Sequence, residues 1–368
     1  MKVESISIQN FKQFEKLEVI FKNQILQEVS NRFLVLGDNG TGKTTLLQAI
    51  ALPLALATGR IQTVSNFDWI GFLPERYWRW GTPRIELELS FEEEELEATR
   101  EIAQKWYDAQ PSEFKKETPF IQPGNSRIVR LILEGDYWKA GETPAERLQF
   151  RGRYYTQSFI NRNAQSVRSY FSKLPGIFWF DQFRNLGSSP NQEMAGESLK
   201  ERSSIVSFEL GVGRLRRYLV DWRRKQESGG NYQTNYLKQL EELYEKLFPG
   251  RRFWGLEHLP SIDSPTEEDT YFLLSDGHRT YDLVEMSAGE QAIFPILYEF
   301  VRQQIAYSIV LIDEVDLNLH PSAAQFLVNQ LPKIAPTCQF IFTTHSEVVA
   351  DLVGESETHR LLGGSLCL

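Results

Sequence analysis

Cysteine is nearly absent from this 368-residue chain: Cys338 and Cys367 are the two, with no metal-ligand spacing between them. That argues against a disulfide scaffold and a zinc site, and it fits a reducing cytoplasm. Basic residues are outnumbered, 40 Lys and Arg against 49 Asp and Glu, for a net charge of −9. An acidic total does not suggest a nucleic-acid coat, although it leaves room for a local basic groove. Long apolar runs are missing too. The most apolar stretch, LLQAIALPLALA, carries Gln48 and Pro53 and falls short of the ~20 residues of a membrane span. The opening residues, MKVESISIQN, lack the apolar centre of a signal peptide. Internal repeats, low-complexity tracts and sustained heptads are also absent.

What remains is an ordinary globular composition, 41% hydrophobic and 24% charged. The length suits one large domain with insertions, or two lobes. Strands are expected at SISI, KLEVIF and FLVL, the last of them apolar throughout, as a central strand covered on both faces should be. A glycine turn and the helix TTLLQAIAL follow, and this helix should kink or stop near Pro53. RIELELSF alternates as a strand with one wet face, EEEELEATREIAQKWYD reads as a solvated helix with an acidic first turn, and IVRLILEG and GIFWF read as strands. Residues 197–225 and 232–248 have helical spacing with ESGGN as a joint, so 181–250 is expected to be a helical lobe inserted in a sheet-bearing part made of 1–180 and 251–368. Beyond it come FWGL and a hairpin whose Asp276-Gly277 suits a type I′ turn. A helix to about Ile305, the strand IVLI, a helix from Pro321, the strand FIF and a short tail complete the chain. Strands alternating with helices imply an α/β fold with a largely parallel sheet.

Chemistry enters at LGDNGTGKTTL. The pattern G-x-x-x-x-G-K-T, at Gly37, Gly42, Lys43 and Thr44, follows an expected strand and opens an expected helix, the context in which it is a phosphate loop. Glycines let backbone N–H groups curl around phosphate oxygens, and the helix N-terminus adds a positive field. Lys43 would meet the β- and γ-phosphates, and Thr44 would offer its hydroxyl to Mg²⁺. A metal-and-base pair is expected on a neighbouring strand. SIVLIDEVDLNLHP supplies it, with Asp313 in the Mg²⁺ shell and Glu314 polarising the attacking water. A strand running into an acidic surface turn would look the same in isolation. CQFIFTTHSE ends in Thr343, Thr344 and His345, and the histidine stands where it could reach a γ-phosphate.

MSAGEQ, residues 286–291, has a local explanation: Ser287 caps a helix and Glu290 returns the bond, a capping box. Together with the other motifs it resembles something more. GDNGTGKTT with Asn39, MSAGE, IVLIDE and TTHS, in this order, are similar to the motifs of ABC-type ATPases, in the soluble branch of RecF-like, SMC-like and OLD-like heads. The resemblance covers about 1–60 and 250–350. It implies a P-loop NTPase fold with an ABC-type head: a mixed central sheet, an antiparallel β part and an inserted helical lobe. It implies ATP and Mg²⁺ as cofactors, with Gly37, Asp38, Asn39, Gly40, Thr41, Gly42, Lys43, Thr44 and Thr45 around the phosphates. It also implies a homodimer in which Ser287, Gly289 and Glu290 meet the γ-phosphate held by a second copy. Gln182 is the candidate for the family's ATP-sensing glutamine, a metal contact. Ala288 replaces the first signature glycine, and His320 stands where transporter-type cassettes place an aspartate.

Long coiled-coil arms are not expected without heptads. Too few residues follow His345 for a nuclease domain, so a nuclease or toxin effector would be a separate polypeptide. Two basic stretches with aromatics, Glu146 to Lys173 and Leu215 to Lys225, could contact DNA or could be solvated faces of an acidic protein. The resulting expectation is a cytoplasmic ATPase that dimerises on ATP and gates DNA or a partner effector, in repair or genome defence, with no membrane partner. The alternatives are the nucleotide-binding subunit of a transporter, or a DNA-binding scaffold that holds ATP with little turnover.

Overall fold

The computed structural model describes residues 1–78, 81–160, 165–181, 208–228, 235–258, 270–317 and 319–362. The chain forms two compact units. One takes Met1–Asp181, Ile305–Asp316 and Ala324–Leu368; the other takes Gln182–Gln304 and Leu317–Ala323.

In the first unit, strands of two sequence types form two sheets. The alternating segments make an antiparallel sheet in the order Phe14–Ile20, Lys2–Phe11, Arg84–Ser90, Ile128–Glu134, Tyr137–Ala140. Along Arg84–Ser90 buried and half-buried residues alternate, so Ile85, Leu87 and Leu89 point inward while Glu86 and Glu88 are half-exposed. The mainly apolar segments, with the polar edge strand Thr358–Arg360, make an all-parallel sheet in the order Thr358–Arg360, Arg32–Leu36, Gln339–Thr344, Ser308–Ile312, Gly176–Phe180. Every residue of Ser308–Ile312 and Gln339–Thr344 is buried, as strands covered on both faces must be. Parallel and antiparallel pairings are therefore kept in separate sheets rather than mixed within one.

The helix Lys43–Thr58 contributes to one core with both sheets. Leu46, Leu47 and Ile50 cluster with Ile85 and Leu131 of the antiparallel sheet and with Ile309 and Ile341 of the parallel one. All of this helix except Thr44 is buried. It runs through Pro53 to Thr58 and ends on Gly59 in the left-handed region, so of the two outcomes expected at Pro53, a kink or a stop, the stop does not occur. Burial on every side holds the helix together although one backbone bond is missing. The expected tail is also more than a tail: Glu347–Val353 is a helix, and Thr358–Arg360 pairs in parallel with Arg32–Leu36. Cys338 is a buried free thiol.

The second unit holds the helices Phe208–Glu227 and Tyr236–Leu247, a three-stranded antiparallel sheet (Thr280–Asp282, Thr270–Ser275, Arg252–His258) and the helix Ala288–Gln303. The expected lobe closed at 250, whereas compactness carries it to 304. Aromatic packing is the reason: the ring of Tyr244 lies 5.7 Å from Phe253 and 5.4 Å from Phe294, and Phe253 lies 5.2 Å from Phe272. The start of the first expected lobe helix and most of the ESGGN joint fall outside the described residues. The hairpin forms, but with a different turn. Gly277 alone has positive φ, and Asp276 instead accepts the N–H groups of His278 and Arg279 through its side chain, as Asx turns do. No helix among the described residues is long and apolar enough to cross a membrane.

Candidate functional site

The Gly37–Thr45 loop leaves the carboxyl end of Arg32–Leu36. Gly37 is buried, Asp38, Asn39 and Gly40 are exposed, and Thr41 is half-buried. Gly40 and Gly42 have φ of 84° and 100°, a region that side chains rarely tolerate. Gly42 is doubly constrained, because a Cβ there would lie 2.5 Å from the Phe14 ring and 2.6 Å from Gln13 Nε2. Lys43, 5% exposed, curls back so that Nζ donates to the carbonyls of Gly37 (2.9 Å) and Asp38 (3.0 Å). The loop is braced from inside by the Thr41 hydroxyl on Asp38 O at 2.9 Å.

Asp313 and Glu314 follow Ser308–Ile312, but that strand is not the neighbour of Arg32–Leu36. Gln339–Thr344 lies between them, which corrects the expectation of adjacency. The gap is bridged by side chains. Asp313, fully buried, accepts the Thr44 hydroxyl on Oδ2 at 2.7 Å and the Thr343 hydroxyl on Oδ1 at 2.6 Å. Thr343 in turn accepts the Glu314 N–H at 2.7 Å. Glu314 sits at φ 45°, a conformation that costs a non-glycine residue ~1–3 kcal/mol and is held only by its surroundings. One residue on, the Thr344 hydroxyl donates to Asp316 Oδ1 at 2.6 Å, and Asp316 Oδ2 lies 3.8 Å from Nδ1 of half-exposed His345. The carboxyl ends of three parallel strands thus bring Lys43, Thr44, Asp313, Glu314 and His345 together.

Several participants were invisible in the sequence. Gln13, in the turn after the first strand, donates to Gly40 O at 2.9 Å and accepts the Thr45 hydroxyl at 3.3 Å. Thr343 joins two carboxylate-bearing residues, and Leu361 places its carbonyl 2.9 Å from where a Gly37 Cβ would stand. The left-handed Asn10 and Lys12 marked a tight turn only once the backbone was known. Nothing in the sequence tied that turn to a loop further along the chain.

In the second unit, Ser287 caps the helix Ala288–Gln303 as expected. Its N–H donates to Glu290 Oε2 at 2.9 Å, and the capping box is complete. Ser287 is exposed, and a Cβ on Gly289 would meet only Leu319 Cδ2, at 3.6 Å. Glu290 departs from its expected place beside a phosphate: it is 2% exposed, its carboxylate engaged by Tyr281 at 2.8 Å and by Tyr244 and Arg251. His320 is exposed and bonds Ser322 at 2.6 Å. Gln182 lies outside the described residues.

The basic stretches are largely engaged within the protein. Arg147 lies over the Trp138 ring, Arg151 over Tyr154, and Arg153 bonds the carbonyls of Phe171 and Leu174, burial bringing its guanidinium down to about 9. Arg216 pairs with Asp282, Arg223 with Glu227 and Lys225 with Asp221.

The residues fit the expected ion. Thr44 and Asp313 offer a hydroxyl and a carboxylate already in contact, hard oxygen donors suited to Mg²⁺, which keeps several waters and takes few protein ligands. Among the described residues no cluster of three or more His, Cys, Asp or Glu could hold a metal by itself.

The family described as "AAA domain, putative AbiEii toxin, Type IV TA system" matches residues 33–351. The chain is 23% identical over 382 residues to "Retron Vc95 probable ATPase" of Vibrio cholerae serotype O1 biovar El Tor, covering 96% of this chain and 72% of that protein. It is 20% identical over 415 residues to "Retron Ec83 probable ATPase" of Escherichia coli, covering 99% and 72%. Among solved structures, an SMC head bound to the C-winged helix domain of ScpA superposes with a TM-score of 0.48 at 12% identity, covering 96% of this chain and 92% of that one.

Proposed function

The chain belongs to this AAA-domain family, and from that membership we propose that it is an ABC-type head that binds and hydrolyses ATP, closes as a homodimer around it, and controls a partner effector. The observation that carries the reading is the contact between Thr44 and Asp313 at the mouth of a loop that already encloses Lys43. Lys43 leaves its two carbonyls for the β- and γ-phosphates, and the loop's N–H groups hold the remaining oxygens. Thr44 and Asp313 hold Mg²⁺, which supplies charge neutralisation and Lewis acidity at the phosphates. Glu314 polarises the attacking water and His345 contacts the γ-phosphate. Exposed Ser287 and the open side of Gly289 form the surface offered to nucleotide on a second copy.

The toxin–antitoxin wording of the family and the retron names of both relatives support a defence setting over transport. The internal pairing of the basic stretches favours a protein effector over DNA as the controlled partner. Such a head works in the cytoplasm, where ATP is supplied.

The experiment is turnover and size together. Wild type should release phosphate from Mg-ATP; Lys43→Ala should lose ATP binding; Glu314→Gln should keep ATP and accumulate as a dimer by light scattering. Absence of ATP binding by the wild type refutes the whole reading. A strict monomer in the Glu314→Gln variant with saturating Mg-ATP refutes the sandwich alone.

A further inference from the structure

The carboxylate of Glu290 has two oxygens with different duties. Oε2 faces the Ser287 turn, accepting the Ser287 N–H at 2.9 Å and its hydroxyl at 2.6 Å. Oε1 faces the other way, toward Tyr281 at 2.8 Å and toward Tyr244 and Arg251. A capping box needs only the Ser287 N–H on Oε2 and the Glu290 N–H on the Ser287 hydroxyl oxygen. Capping glutamates at exposed helix ends have no call for burial, and burying a carboxylate is unfavourable unless it is paired. Here the second set supplies the pairing, from outside the capped helix. Tyr244, with no exposed surface, belongs to the helix Tyr236–Leu247, and Arg251 follows that helix directly after left-handed Gly250. Tyr281 lies in the adjacent hairpin, its hydroxyl 3.2 Å from that of Tyr244.

We propose that Glu290 is a positioning residue through which Tyr244, Tyr281 and Arg251 set the Ser287 turn for its contact with a partner-bound phosphate, which makes the Tyr236–Leu247 helix the lever on ATP-dependent pairing of two copies. The proposal rests on the sandwich reading above and departs from the expectation that Glu290 itself touches nucleotide. Geometry supports a division of labour. When the Ser287 hydroxyl turns to a phosphate, Oε2 keeps the Ser287 N–H, so the cap survives the contact. A rotation of the Tyr236–Leu247 helix pulls on Oε1 and is felt at Ser287 through a single rigid carboxylate. Burial opposes the charge on Glu290, yet Arg251, Ser287 and Tyr244 outweigh it and hold its carboxyl down at about 2, so the link stays ionised under working conditions.

The test uses the full chain in the Glu314→Gln background, with two readouts: affinity of the monomer for a fluorescent ATP analogue, and the dissociation constant of the ATP-loaded dimer by analytical ultracentrifugation. Tyr244→Phe removes one hydroxyl and leaves the ring packing; Arg251→Met removes the ion pair. Both should leave nucleotide affinity within about twofold and weaken the dimer by about tenfold or more, as expected for lost bonds to a charged group. In a Ser287→Ala background the same changes should have little further effect, because the residues act in series. Circular dichroism melts confirm folding, and Tyr244→Phe serves if Arg251→Met does not fold. Unchanged dimerisation in folded Tyr244→Phe and Arg251→Met, or additivity with Ser287→Ala, overturns the proposal while leaving the sandwich standing. Failure of the Glu314→Gln parent to dimerise overturns the sandwich, and this proposal with it.

Discussion

Thr44 and Asp313 are 269 residues apart in the chain and 2.7 Å apart in space, hydroxyl to carboxylate. The hydroxyl belongs to the one residue of its helix that is not buried, and the carboxylate has no exposed surface. A buried anion persists where donors meet it, and here the donors are two threonines from different elements. The pair therefore joins two ends of the sequence at the point where the proposed metal would sit.

Replacing Asp313 with Asn removes the charge and lets only one amide atom accept, so one of the two threonine donors loses its partner. Mg²⁺-dependent turnover should fall by at least about 100-fold, with a stability loss of ~1–3 kcal/mol. Phosphate release and urea denaturation measure the two effects. Full turnover in a folded variant contradicts the metal assignment.

Thr343→Val keeps the shape and removes the hydroxyl that joins Asp313 to the Glu314 N–H. The expected result is a drop in kcat of about 10- to 100-fold with little change in KM for ATP. Thr343→Ser should restore most of it. If valine and serine behave alike, the hydroxyl is not what orients the pair.

Glu314 is held in the left-handed region at φ 45°. Glu314→Gly relieves that cost and should raise stability by up to ~1 kcal/mol while abolishing hydrolysis. A variant both less stable and inactive would place the strain elsewhere.

Two glycine substitutions should separate fold from assembly. Gly42→Ala puts a Cβ against Phe14 and Gln13 at φ 100° and should cost ~2–4 kcal/mol along with ATP binding. Gly289→Ala meets only Leu319 at 3.6 Å and should change stability by less than ~0.5 kcal/mol, yet weaken the ATP-loaded dimer measured by light scattering. Normal dimerisation in Gly289→Ala would mean no second copy approaches there.

Acid should reveal the Glu290 network. Its carboxyl is lowered from 4.5 to about 2 in the folded state by Arg251, Ser287 and Tyr244 acting against burial. A depressed folded value means the stabilisation is present above pH 4.5 and is lost as pH falls toward 2. Urea midpoints should drop more steeply over that window in the wild type than in Glu290→Gln. Parallel curves would show that the ion pair adds nothing to stability.

How much of this was written in the sequence depended on distance along the chain. Gly42–Thr44 and the Ser287–Glu290 box are local patterns, found as a strand-to-helix turn and a helix cap, and Asp313-Glu314 ends its strand as read, although that strand is not beside Arg32–Leu36. Gln13 on Gly40, Thr343 between two acidic residues, and the strand that separates Arg32–Leu36 from Ser308–Ile312 are products of tertiary pairing, which no short window contains. The helix runs past Pro53 for the same reason: propensity describes an isolated helix, and this one is enclosed. Glu290 was half legible, because its capping role is a spacing and its burial is not.

The parallel sheet has a consequence for how the protein is made. Arg32–Leu36 and its loop leave the ribosome well before both strands that flank it, Gln339–Thr344 and Thr358–Arg360, which lie far down the chain. Until they emerge, the nascent phosphate loop has no walls, and its apolar strand must wait unpaired. The capacity to hold nucleotide thus arrives only once those distant strands have emerged, and nearly all at once.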